Sequence, residues 1–202
     1  MSLLKWFPIA FVTLLLPLAA QAQEFSVSKI DFALQESPKM SGSGYDKKVT
    51  RPSSWLEVEV TFDWTPRTAE PLYLDDLTVN YYILLNNKNK DFPQGALLVG
   101  SVNHVNVGQG KELKSVMYVA PRSLERFFGG KIPNTANQTV AGIGVTITKA
   151  GQIVAESSTS GKGQWWSTYQ QTQGYVLNKS ETPFAHLAWD YFEAVKGRGA
   201  GQ

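Results

Sequence analysis

Along residues 56–64 apolar and polar side chains alternate without a break, with Leu56, Val58, Val60, Phe62 and Trp64 on one side and Glu57, Glu59, Thr61 and Asp63 on the other. Strict period-two alternation predicts a half-buried β-strand. A second strand is predicted from Leu77 to Leu85, where Leu77, Val79, Tyr81, Ile83 and Leu85 are in phase, and the polar run Asn86-Asn87-Lys88-Asn89-Lys90 that ends it reads as a loop. Phe25 to Leu34, Leu97 to Val107, Leu113 to Val119, Thr139 to Thr148 and Ile153 to Ser158 are further strands, each bounded by Gly, Pro, Asn or Ser. The first changes apolar phase between Val27 and Ile30, which predicts a bulge. Two spacings suit hairpins: Gly108-Gln109-Gly110-Lys111 between the fourth and fifth of these seven strands, and Lys149-Ala150-Gly151-Gln152 between the last two.

About seven strands at short spacing, without long helices between them, predict a mostly β protein built as an antiparallel two-sheet sandwich. No linker divides residues 23–202, so they form one domain. The longest irregular stretch, Gln35 to Ser54, holds Ser41-Gly42-Ser43-Gly44 and Pro52 and reads as a surface loop. Two helices are expected. Pro121 to Phe128 is short, with Leu124, Phe127 and Phe128 as its apolar edge and Gly129-Gly130 as its stop. At the other end Thr182 can cap and Pro183 can open an amphipathic helix over 183–196, in which Phe184, Leu187, Ala188, Tyr191, Phe192 and Val195 repeat at helical spacing before Gly197. Its stripe would pack on the sandwich or dock a partner; packing is the simpler reading, since an uncovered stripe invites aggregation.

The amino terminus changes the picture of where the domain works. Lys5 precedes an apolar run from Trp6 through Ala20, and Ala20-Gln21-Ala22 places small residues where a signal peptidase cuts, so residues 1–22 read as a secretory signal peptide. The alternative is an uncleaved amino-terminal anchor; Pro17 and the Ala-x-Ala site argue for cleavage. The expected product begins near Gln23, carries no integral membrane segment, and resides in the periplasm or on the outer cell surface. The apolar segment lies before the cut, unlike that of a polymerising pilin. With no cysteine, the chain can carry neither a lipoprotein anchor nor a disulfide. Without Lys5 the 19 basic residues become 18 against 17 acidic ones, a balance that leaves no footprint for nucleic acid.

Catalytic chemistry finds few candidates. His104 falls on a predicted strand and His186 in the predicted carboxy-terminal helix, and neither has carboxylates at metal-ligand spacing, so no metal or cofactor is expected. No Gly-x-Ser-x-Gly elbow occurs, Ser43 sits in a loop, and Gly142-Ile143-Gly144 lacks the third glycine of a dinucleotide fingerprint. Glu57 and Glu59 share one strand face at roughly 7 Å by strand rise, a spacing that could serve glycoside hydrolysis but is also that of any solvent face. Asp75-Asp76 could hold a cation or merely supply a polar loop. The protein is therefore expected not to be an enzyme.

Aromatic residues supply the one candidate contact site. Trp165-Trp166 follows Ser160-Gly161-Lys162-Gly163, and Tyr169 and Tyr175 stand close behind among Gln170, Gln171, Thr172 and Gln173. Adjacent tryptophans on an extended segment face opposite ways, so one of them is expected to be exposed or to pack beneath a loop. Aromatic faces beside amides and hydroxyls are what sugar-binding sites use; sealing the sheet is the competing role.

The signal peptide, the cysteine-free strands, Trp165-Trp166 and the ending from Gly174-Tyr175-Val176-Leu177-Asn178-Lys179 to Phe184-Ala185-His186-Leu187-Ala188-Trp189-Asp190 resemble a known family. It comprises small immunoglobulin-like exported proteins associated with type IV pilus-like machinery in mucin-degrading gut bacteria. The resemblance covers most of the chain after residue 22 and rests on overall pattern. It implies an immunoglobulin-like β-sandwich, a place in the cell envelope, and a partner from a pilus-like or adhesive surface assembly, with glycans as the alternative ligand. It carries over no site residues.

Overall fold

The computed structural model describes residues 24–38, 53–68, 70–161 and 163–197. The expected signal peptide, and most of the loop expected between Gln35 and Ser54, lie outside the described residues. The strands are β1 (Phe25–Glu36), β2 (Ser54–Trp64), β3 (Tyr73–Leu74), β4 (Leu77–Leu85), β5 (Leu97–His104), β6 (Val107–Gly108), β7 (Gly110–Val119), β8 (Val140–Lys149), β9 (Gln152–Ser158), β10 (Gln171–Gln173) and β11 (Val176–Asn178). Helices α1 (Pro121–Phe127) and α2 (Ala136–Thr139) lie between β7 and β8. All seven predicted strands are present, as is the bulge in β1, where the register slips between Val27 and Lys29.

The strands form two main sheets, ordered β1-β2-β7-β11 and β10-β5-β4-β8-β9, with β3 and β6 as a separate pair. Alternating residues of β2 and β4, from Leu56 to Trp64 and from Leu77 to Leu85, meet Ile143, Val145 and Ile147 of β8 and Met117 and Val119 of β7 in one shared core. At about 1.5–3 kcal/mol for each large apolar side chain removed from water, this core is the main stabilising term. β8 and β9 form the predicted hairpin, and Ala150 and Gly151 turn it with φ of 50° and 77°, the left-handed values a tight two-residue turn needs.

The other predicted hairpin does not form. β5 pairs with β4 in one sheet and β7 pairs with β2 in the other, so the chain between them crosses from sheet to sheet. The crossing is pinned by polar groups: the backbone N–H of Asn106, itself at φ 55°, donates to Asp75 Oδ1 at 3.0 Å, and Asn103 donates to Asp76 Oδ1 at 3.0 Å. Both members of the Asp75-Asp76 pair therefore hold loop structure.

A second crossing closes the same flank. β10 runs parallel to β5, and after Gly174, at φ +86°, β11 runs antiparallel to β7. One short segment thus borders both sheets. Its seating depends on Gly100 of β5, because a Cβ there would lie 2.6 Å from the Val176 side chain. Gly100→Ala is expected to cost roughly 1–3 kcal/mol by overpacking, read as a lowered urea midpoint with an unchanged slope.

The expected carboxy-terminal helix over 183–196 is absent. Turns follow Pro183, a short 3-10 turn spans Trp189–Tyr191, and Val195 forms an isolated antiparallel bridge with His104. Tertiary partners outcompete the helix: Glu193 N–H donates to Lys114 O at 2.9 Å, Val105 N–H to Ala194 O at 3.0 Å, and Lys196 N–H to Asn103 O at 2.8 Å. Ala188 adopts a left-handed φ of 47°, and Trp189, Asp190, Tyr191 and Phe192 are weak helix formers. The apolar residues pack all the same, since Phe184 stacks on Tyr118 at 4.7 Å and meets Trp55 edge-on at 5.8 Å.

Candidate functional site

The outer face of each sheet is covered by a late segment of the chain, and these two covers hold the candidate residues. After β9 the chain crosses the five-stranded sheet through a 3-10 turn, Trp165–Thr168. The turn, unlike the extended segment expected, lets both tryptophans reach the same face. Trp166, 3% exposed, stacks on Tyr82 at 4.9 Å and closes a small cluster with Leu84, Leu97 and Val99. Its ring lies on Gly144, where a Cβ would approach to 2.0 Å; Trp165 lies over Gly142, where a Cβ would be 3.3 Å away. The Gly142-Ile143-Gly144 motif is thus a floor for indole rings.

Trp165 and Tyr169 are only half-buried, 5.7 Å apart edge-on, and Trp165 Nε1 donates to Ser158 Oγ at 3.2 Å. Tyr175 is not brought to them. It packs with the core residue Phe127 at 5.1 Å, beneath the guanidinium of Arg126 at 5.6 Å. Of the four residues singled out, Trp165, Trp166 and Tyr169 share a cluster, and within it Trp165 and Tyr169 keep exposed surface.

On the four-stranded sheet the outer face carries Glu57 and Glu59. Glu57 accepts from Tyr118 Oη at 2.9 Å and from Gln35 Nε2 at 3.3 Å. Glu59 accepts from Lys114 Nζ at 2.9 Å and from Tyr191 Oη at 3.2 Å. The hydrogen bond that Lys114 donates to Glu59 holds the ammonium above its ordinary pKa, while burial, followed by the charge of Glu57, pushes the Tyr118 phenol up. Both carboxylates are engaged in ordering this face, and Glu59 ties it to the tail.

His104 points inward. Its Nδ1 lies 3.3 Å from Ala194 O, and its Nε2 lies 2.7 Å from Ser115 Oγ, which accepts from Tyr81 Oη at 2.7 Å. A carbonyl can only accept, so Nδ1 bears the proton and Nε2 receives the Ser115 hydroxyl. The chain of bonds is satisfied only with a neutral ring, and burial lowers the His104 pKa from 6.5 to about 4. Ser115 is fully buried, which removes it from any substrate. His186 is exposed. Among the described residues no group of three or more His, Asp or Glu side chains is placed to hold a metal ion, and no helix is long and apolar enough to cross a membrane.

The tail contributes the feature that sequence reading missed. Leu187 is 44% exposed, Trp189 71% and Tyr191 50%, an apolar group fixed on a sandwich rather than folded into it. Behind them a cavity of about 440 Å³ opens between the tail and the sheets, lined by His104, Val116, Lys179, Trp189, Phe192 and Val195 among others. The signal was present as the apolar repeat after Pro183; assigning it to a helix face hid which members would remain outside.

A protein-family model matches residues 17–198, from before β1 to the end of the tail. The chain belongs to that family. The matched span includes the tryptophan cover and the tail cover, so the whole described sandwich lies within the family's extent. A crystal structure of a protein from Akkermansia muciniphila is similar at 28% identity and a TM-score of 0.71, over 87% of this chain and 94% of that one. No curated protein matches the chain.

Proposed function

We propose that this protein is a non-enzymatic interaction module of the cell envelope, exported to the periplasm or outer surface, where it contacts a protein of a pilus-like or adhesive assembly. The observation that carries the reading is the group Leu187, Trp189 and Tyr191, held outward on the sandwich. Exposed aromatic anchors of this kind are what protein interfaces concentrate. Two further features support it. The sheet orders β1-β2-β7 and β5-β4-β8-β9 correspond to those of immunoglobulin-like sandwiches, which recur in surface contacts. The solved relative comes from a mucin-degrading gut bacterium, the setting of the family that the sequence resembles.

The test is affinity capture from envelope extracts of the source organism with the chain from Gln23 onward, identifying bound proteins and glycans. Recovery of pilus-like assembly proteins is expected, with a loss of at least about tenfold for Trp189→Ala, the size of one interface anchor. Recovery unchanged by Trp189→Ala would remove the reading. Glycan without protein would shift the function to the half-exposed Trp165 and Tyr169.

A further inference from the structure

We propose that the cavity beneath the tail binds a carboxylate carried on an apolar body, with Lys179 as its counter-ion. Lys179 lies in a short 3-10 turn, Lys179–Glu181, and is only 9% exposed. Its ammonium has three donors, yet it makes one long hydrogen bond, to Ala188 O at 3.4 Å. The rings of Phe192 and Trp189 flank it at 5.3 Å and 5.9 Å. Among the described residues no carboxylate lies within 4.0 Å of it. Burial depresses its pKa. A desolvated cation without a counter-ion is costly, and an anionic ligand offsets that cost.

The cavity selects the kind of anion. Its volume of about 440 Å³ falls within the range of small-ligand sites. Val116, Phe192, Trp189 and Val195 give it apolar walls, while Asp190 and Glu193 on the same lining oppose a ligand in proportion to its negative charge, least for a single carboxylate paired directly with Lys179. A single negative charge beside an apolar group fits; a phosphate ester or a sulfated chain does not. The carboxylate could belong to a free organic acid or to the carboxy-terminal residue of another chain. The proposal goes beyond the interaction reading; the two share Trp189, whose ring lines the cavity, but Lys179 belongs to the cavity and not to the outward group, so Lys179→Met tests this proposal with Leu187, Trp189 and Tyr191 unaltered.

Calorimetric titration of the chain from Gln23 onward with N-acetylphenylalanine, and separately with its uncharged amide, tests the site. The acid is expected to bind saturably and at least about tenfold tighter than the amide, as a hydrogen bond to a charged group implies. Lys179→Met keeps the apolar stem and is expected to abolish that difference while its melting curve confirms the fold. Equal binding of acid and amide, binding of neither, or a full preference for the acid in folded Lys179→Met would overturn the proposal. The acid–amide comparison needs no variant, so the test survives an unstable Lys179→Met. A hexapeptide ending in phenylalanine with a free carboxylate separates the sources: tighter binding than the acid assigns the site to a chain end, and no gain assigns it to a free acid.

Discussion

Trp166→Ala will lower the thermal midpoint by about 10 °C, the equivalent of a 3–5 kcal/mol loss for a chain of this size. The indole is 3% exposed, stacked on Tyr82 and lying on Gly144, so its removal opens a void on the outer face of the five-stranded sheet. Leu84, Leu97 and Val99 then meet water. Collapse is hindered because β8 offers only glycine beneath the ring, with no side chain to fill the space. Differential scanning calorimetry measures the shift. A change within about 2 °C, below one kcal/mol, would show that the segment is a loosely held cover.

Acidification will destabilise the protein through His104. In the unfolded chain this histidine titrates near 6.5, and in the fold near 4. Between those values the unfolded state binds more protons, so stability rises with pH across the window. The contribution of the neutral ring is complete above about pH 6.5 and is lost progressively as pH falls towards 4, about 3 kcal/mol in all. Protonation places a proton on Nε2, where Ser115 already accepts from Tyr81, and so breaks the one arrangement that satisfies all three groups. Urea titrations at pH 7.5, 5.5 and 4.5 should show the midpoint falling more steeply for the unaltered chain than for His104→Gln, which cannot titrate. Parallel declines would assign the acid sensitivity to carboxylates instead.

Much of the fold is legible in the sequence because alternate residues of β2 and of β4 from Leu77 to Tyr81 face the same core, and that constraint writes period two into the chain. The second periodicity is harder to see. In β4 and β5 both faces are covered, so Tyr81 to Leu85 and Ala96 to Val99 are continuous apolar runs that name no face. β10 and β11 are three residues each, too short to show alternation, and their pairing is set by the crossing at Gly174. The tail misleads for a related reason: i, i+3 and i+4 spacing of Phe184, Leu187 and Ala188 matches a helix, yet the backbone donors of Glu193 and Lys196 find strands instead. At the candidate site, Trp165, Trp166 and Tyr169 are legible as a group, whereas the burial of Trp166 is written in Gly144, on a strand well before it in the chain. Lys179 carries no sequence signal, because its isolation depends on which carboxylates the tail leaves out of reach.

The two covers and the sheet-switching segment lie after Ser158 and act on strands completed before it. A chain that ends at Ser158 holds β1 to β9 but leaves exposed the outer surfaces of both sheets and the flanks of β5 and β7 that the remaining residues cover. The sandwich is therefore closed by its carboxy-terminal end, and shortening the chain there is expected to leave uncovered sheet faces and edges open to association rather than a smaller finished domain.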